Sequence, residues 1–228
     1  MLHWQSVEDP LAPSDTAPHV LPVTTSSSGM PLLRSGCRPF KPNAEIFSQY
    51  EQVSNVYAVV SGAVRFTRLR RDGRRQIGAF YLPGDMFGLE VEKRHSFSAE
   101  SIVNSRIEIQ KKAAFLEAAM DNQDLAFQVW TTTAVQLQQA QNHMSVLGRS
   151  TAQERLATFL LDMDARLESR GSVHLPMPRR DIADYLGLTI ETVSRVFHIF
   201  EKRQIISIRG ARRVLLRDLE ALRNMNDA

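Results

Sequence analysis

A single cysteine in 228 residues is the first absence with consequences. Cys37 has no partner for an internal disulfide, which fits a reducing compartment, and one thiol cannot supply a four-thiolate iron-sulfur cluster. It is left as a candidate redox thiol, beside the plainer reading of an unremarkable cysteine in a proline-rich stretch. Histidine is scarce as well. His3, His19, His95, His143, His174 and His198 include no pair at metal-ligand spacing, so neither a metal site nor metal-dependent catalysis is expected. No nucleophile elbow accompanies them, and no glycine loop could cradle a phosphate. No run approaches the ~18 apolar residues of a membrane span. Residues 1–30 contain neither lysine nor arginine and no continuous apolar core, so neither a secretory signal nor an arginine-rich transit peptide is expected. These absences point to a cytoplasmic protein that is not an enzyme, needs no cofactor and does not enter membranes.

What is present is enough to build a core: 43% of the residues are hydrophobic, in a chain long enough for two modest domains. Residues 1–30 are rich in proline, serine and threonine and lack periodicity, which reads as a flexible N-terminal arm. Between 31 and 112 short apolar segments alternate with turn residues: 56–60, 63–69, 76–81, 98–103 and 106–109, with Asp72-Gly73 and Pro83-Gly84-Asp85 between them. Many short strands at that spacing predict a sandwich or jelly roll.

Beyond Lys112 the period becomes helical. A short helix is predicted over 113–120 and a long one over 124–147, ended by Gly148. Trp130, Thr133, Leu137, Ala140, Met144 and Leu147 recur in steps of three and four along the long helix, among glutamines, and this heptad seam predicts self-association. Ser150 with Gln153, and Thr151 with Glu154, both fit a capping box, so a further helix should begin near Thr151 and bury Leu156, Phe159, Leu160, Met163 and Leu167. Residues 171–178 read as an extended connection, and 218–224 as a last short helix.

The stretch 179–203 carries the chemistry. Ile182, Tyr185 and Leu186 lie at helical spacing, Gly187 breaks the run, and Thr189 can cap a second helix whose apolar stripe is Val193, Val196, Phe197 and Phe200. Two short helices joined by such a turn describe a helix-turn-helix. Ile190, Glu191, Thr192, Ser194 and Arg195 crowd the N-terminal half of the second helix, where such a motif meets base edges. Arginine can bond guanine in bidentate fashion, glutamate can accept from cytosine, and hydroxyls suit either edge. An ordinary helical hairpin would need no such set. Between 179 and 217 nine lysines and arginines face four acids, an excess of five where the whole chain has three. Charge concentrated in this way suits phosphates, and Arg179, Arg180, Thr189, Arg209 and Arg212 are the candidate phosphate contacts. After the motif, 205–208 and 214–216 read as strands around a 209–213 turn, a wing.

With Glu191-x-x-Ser194-Arg195 on its recognition helix, the chain resembles the CRP/FNR family of transcription regulators, specifically the FNR-type and FixK-type branches. The likeness extends more loosely over about 30–228. It implies an α+β fold: an N-terminal double-stranded β-helix (jelly roll) over 31–122, a dimerisation helix over 123–148, and a winged helix-turn-helix DNA-binding domain over 149–228. Val60-Ser61-Gly62 and 83–88 stand where the roll places its turns. The resemblance further implies a homodimer on a palindromic site with TTGAT and ATCAA halves, contacts to RNA polymerase, and activation of genes for low-oxygen metabolism. Relatives can instead be ligand-gated sensors holding a cyclic nucleotide, a haem or another effector in the roll. In the cyclic-nucleotide binders an acid follows a glycine-rich turn and a later arginine pairs with the phosphate. Here the acid could be Glu90, but the later run is Ser96-Phe97-Ser98-Ala99, with phenylalanine in the place of the arginine; Lys93 and Arg94 lie close by in sequence. DNA binding without a cyclic nucleotide is therefore expected.

Overall fold

The computed structural model describes residues 36–69, 73–148 and 151–226, which belong to one unit, Pro31–Ala228. The arm at 1–30, Asp72 of one expected turn and Ser150 of one expected capping box lie outside the described residues.

Eight strands form the N-terminal half: β1 (Cys37–Phe40), β2 (Glu45–Phe47), β3 (Asn55–Ser61), β4 (Val64–Leu69), β5 (Arg75–Tyr81), β6 (Met86–Phe87), β7 (Ser98–Ser101) and β8 (Ser105–Lys111). They pair antiparallel in two four-stranded sheets, β1-β8-β3-β6 and β2-β7-β4-β5. The inner faces meet on Phe47, Tyr57, Val59, Val64, Phe66, Phe87, Ala99 and Ile107. The tight turn from β3 to β4 requires Gly62: φ is +90°, and a Cβ there would lie 2.6 Å from the Ser105 Cα. Strands β1, β2 and β6 are additions to the sequence expectation. Each spans four residues or fewer, too short for alternation to declare itself, and pairing with a neighbour defines it.

Helix α1 (Lys112–Asp121) leads into α2 (Gln123–Gly148), which is about 39 Å long at the standard rise. One face of α2 turns inward, burying Leu125, His143 and Val146, with the Gln136 amide donating to the Met86 carbonyl. The opposite face is open: Phe127, Trp130, Leu137 and Met144 are 64%, 65%, 59% and 73% exposed. Thr133 and Ala140 are exposed between them. Leu147 departs from that seam. It is half-buried and reaches the turn at Gly187, its Cδ2 lying 3.5 Å from where a Cβ would stand on that glycine.

Helix α3 (Ala152–Arg166) opens on the Thr151 hydroxyl, which accepts from the Glu154 N–H at 3.2 Å. There follow β9 (Ser172–His174), α4 (Arg179–Leu186), α5 (Ile190–Lys202), β10 (Ile206–Arg209), β11 (Arg213–Leu216) and α6 (Leu219–Asn226). Within the extended connection expected over 171–178, β9 pairs with β11 and makes the wing a three-stranded sheet, β10-β11-β9. With Val173 as its one buried residue, β9 has no pattern of its own to read. The C-terminal core of Leu156, Phe159, Leu160, Ile182, Leu186, Val193, Phe197 and Phe200 is continuous with Ile77, Phe80, Leu82 and Ile102 of the roll. Among the described residues no helix is long and apolar enough to cross a membrane.

Candidate nucleic-acid interface

Helix α4 ends on Gly187 in the left-handed region, φ +64°, where its N–H and that of Leu188 both reach the Ala183 carbonyl. Arg155 Nη1 donates to the Leu186 carbonyl at 3.1 Å, satisfying another group that the helix end leaves open. Helix α5 begins on Thr189, whose hydroxyl accepts from the Thr192 N–H at 3.2 Å. Val193, Val196, Phe197 and Phe200 are buried and fix the roll of α5 about its own axis. That leaves Ile190, Glu191 and Arg195 exposed and Thr192 and Ser194 half-buried on the outward face. His198, exposed one turn beyond Arg195, extends that face; the three-residue step from Arg195 was the signal that could have found it. Hydrogen bonds from its own backbone N–H and from the Thr189 hydroxyl hold the fully exposed Glu191 carboxyl below the usual carboxylate range. Ionised, it can only accept, which suits a base-edge amino group and opposes a phosphate.

The expected phosphate contacts lie at the start of α4, at the Thr189 cap and in the wing. Arg180 is exposed at the start of α4, while Arg179 is half-buried, with its guanidinium carbon 4.5 Å from the centre of the Phe197 ring. In the wing Arg209 is exposed and Arg212 half-buried. The register sets Arg209 directly opposite Arg213 across the hairpin. Like charges directly opposed on neighbouring antiparallel strands are destabilising, so the end of the β10-β11 hairpin carries a cost that an external anion would relieve. Arg213 is thus a residue that sequence reading counted only as general charge, since pairing partners are visible only in the folded sheet.

Residues 154–225 match the family model of the Crp-like helix-turn-helix domain, and 37–122 that of the cyclic nucleotide-binding domain. The chain is 47% identical over 192 residues to the nitrogen fixation regulation protein FixK of Azorhizobium caulinodans, covering 82% of this chain and 77% of that one. It is 42% identical to the FixK of Rhizobium meliloti, covering 82% and 85%. The structure of FixK2 from Bradyrhizobium japonicum superposes with a TM-score of 0.81 at 45% identity, covering 86% of this chain and 99% of that one. The chain belongs to the CRP/FNR family. As a CRP/FNR regulator it is a DNA-binding transcription factor and not an enzyme, and the roll, long helix and winged motif are this family's parts.

Whether a cyclic nucleotide suits the roll of this CRP/FNR chain is a question of charge. The interior is aromatic: Phe66 meets Tyr81, Phe87 and Phe97 at centroid distances of 4.5, 5.4 and 6.2 Å. Phe97 also lies against Gly78, where an added Cβ would come within 2.8 Å of its ring. Arg94 is exposed and donates to the Tyr50 carbonyl at 2.7 Å. Glu90 meets Nδ1 of the buried His95 at 3.1 Å, and its other oxygen is buried without a hydrogen-bond partner among the described residues. A cyclic phosphate needs a cation in the pocket, and here Phe97 stands in the place of the family's arginine, Arg94 is bonded outward to Tyr50, and the ammonium of Lys112 is taken by the Glu90 carbonyl. These residues do not fit that ligand. Exposed Cys37 lies on the edge strand β1.

Proposed function

We propose that this regulator activates transcription as a cytoplasmic homodimer on a two-fold symmetric DNA site, without a cyclic nucleotide. The observation that carries the reading is the split of α5 into a buried stripe and an outward face of Ile190, Glu191, Thr192, Ser194 and Arg195. These side chains read bases, with Arg195 and Glu191 foremost. Arg179, Arg180, Thr189, Arg209, Arg212 and Arg213 position the duplex through its phosphates. The dimer forms along Trp130, Thr133, Leu137, Ala140 and Met144, because apolar side chains as large and exposed as Trp130, Leu137 and Met144 on one helix need a cover, and a second copy supplies a matching row.

The relatives' names, nitrogen fixation regulation protein and transcriptional activator protein Anr, support activation of promoters, with nitrogen-fixation genes among the targets; low-oxygen metabolism, half-sites like TTGAT and ATCAA and contacts to RNA polymerase are what the family resemblance adds to the proposal. The unpartnered Glu90 oxygen favours a second reading, in which a neutral or cationic effector, rather than a nucleotide, enters the roll. Selection of randomised DNA by the purified protein without added ligand tests the proposal: one palindrome should be enriched. Enrichment only after adding an effector favours the second reading, and no enrichment overturns both.

A further inference from the structure

Behind the recognition helix the roll grips the motif through charge. Asp181, in the first turn of α4, is 1% exposed. Its two oxygens are taken by Arg65 Nη1 of β4 at 2.7 Å and Arg75 Nη2 of β5 at 2.5 Å. Arg75 Nε donates to Asp184 Oδ2 at 2.8 Å, one turn along α4. Arg65 is anchored in turn: Nε and Nη2 donate to Glu100 Oε2 at 2.9 and 2.6 Å, and Nη2 donates to Asn43 Oδ1 at 3.0 Å. Thr67 holds the other Glu100 oxygen at 3.1 Å.

Such a network is a weak source of stability, because desolvating the charges offsets most of their attraction, but it tolerates one geometry only. Apolar packing between Phe80 and Tyr185, with centroids 5.0 Å apart, would hold the two parts together without fixing their angle. The angle matters downstream. α4 and α5 share a core and a short turn at Gly187, so they move as one. A tilt of about 10° carries one end of a 20 Å helix such as α5 through ~3 Å, well outside the ~0.5 Å within which a bidentate base contact survives. The roll is also tied to α2 through the Gln136 to Met86 contact. It therefore acts as a bracket between the seam and the reading head.

We infer that Arg65 and Arg75 are positioning residues for DNA recognition: through Asp181 and Asp184 they set the pose of the recognition helix relative to the long helix, and with it the half-site spacing that the dimer accepts. This rests on the two-fold site proposed above. Arg75 and Asp184 are each about a quarter exposed, so exchange there disturbs the fold less than at Arg65 or the buried Asp181. The test compares Arg75→Asp, Asp184→Arg and the double variant with the parent, on the selected palindrome and on versions with one base pair added or removed between the halves. Each single variant should lose about tenfold on the native spacing and prefer it no longer, while the double variant, in which the new carboxylate at 75 still faces Asp181, regains part of both. Arg75→Gln, which removes the charge without adding repulsion, should relax the spacing preference in the same direction and carries the test if reversal unfolds the chain. Unchanged spacing preference in the single variants, or no recovery in the double, overturns the inference while leaving the two-fold site intact. A parent protein indifferent to spacing overturns the two-fold reading itself, and the spacing role with it.

Discussion

His143 of the long helix lies flat on Tyr185 of the first motif helix, with ring centroids 3.8 Å apart and planes within 5°. Its Nε2 meets the Tyr185 carbonyl at 2.8 Å, so the neutral ring carries its proton on that nitrogen and donates it there. One side chain thus joins the long helix α2 to the helix-turn-helix. With Arg166 of α3, which donates to Asp85 at 2.9 Å and to the Phe80 carbonyl at 2.6 Å, it closes the junction that the Arg65 and Arg75 network holds from the other side.

That junction makes stability depend on pH with a definite sign. Burial lowers the His143 pKa, outweighing the backbone carbonyls at Tyr185 and Gly78 and the nearby Asp162, all of which favour the cation. As pH falls through the unfolded imidazole range, about 6.5, the unfolded chain takes up this proton first, and stability drops. Asp162, raised by burial, acts oppositely nearer the carboxylate range, where the folded chain takes the proton first. Urea unfolding should therefore show the parent losing more stability between pH 7 and 5.5 than His143→Gln does. Parallel pH profiles would contradict this.

Arg195→Ala should cost about 1 to 3 kcal/mol on the selected site and blur one base pair in each half, whereas Arg209→Ala should weaken all sequences alike and flatten the salt slope by about one. Affinities for the selected and scrambled duplexes over a salt series measure both. An unchanged ratio for Arg195→Ala contradicts base reading by that residue.

Met144→Glu and Leu137→Glu each place a charge where a symmetric interface would bury it twice. Both should sediment as monomers and bind a full palindrome poorly, with half-sites spaced by about one helical turn, ~34 Å, no longer bridged. An undiminished dimer would move the interface elsewhere on the surface.

Titration with cyclic AMP or cyclic GMP should release no saturable heat and leave DNA affinity unchanged. Phe97 fills the roll where a cation is required, and Arg94 is bonded outward to Tyr50. Micromolar binding lost in Arg94→Ala would show that Arg94 leaves Tyr50 to meet the phosphate, and the effector reading would then replace the ligand-free one.

The sequence alone determined what is local. Caps at Thr151 and Thr189, the left-handed turn at Gly187 and the stripe from Val193 to Phe200 are set by neighbours within four residues, so helical periodicity exposes them. The outward face of α5 follows by subtraction, as does the open seam of α2 from Trp130 to Met144. Tertiary structure decided everything that joins residues distant in the chain. Strand β9 exists through β11, the opposed Arg209 and Arg213 through a register, and the departure of Leu147 from the seam through the turn at Gly187. The Arg65 to Asp181 pair spans 116 positions. In sequence, Asp181 looks like an ordinary acid in the first turn of a helix that a macrodipole would welcome, and Asp184 like a second acid one turn on. Only the fold brings up β4 and β5 to withdraw Asp181 from water, and a charge withdrawn from water is held to the geometry of its partners.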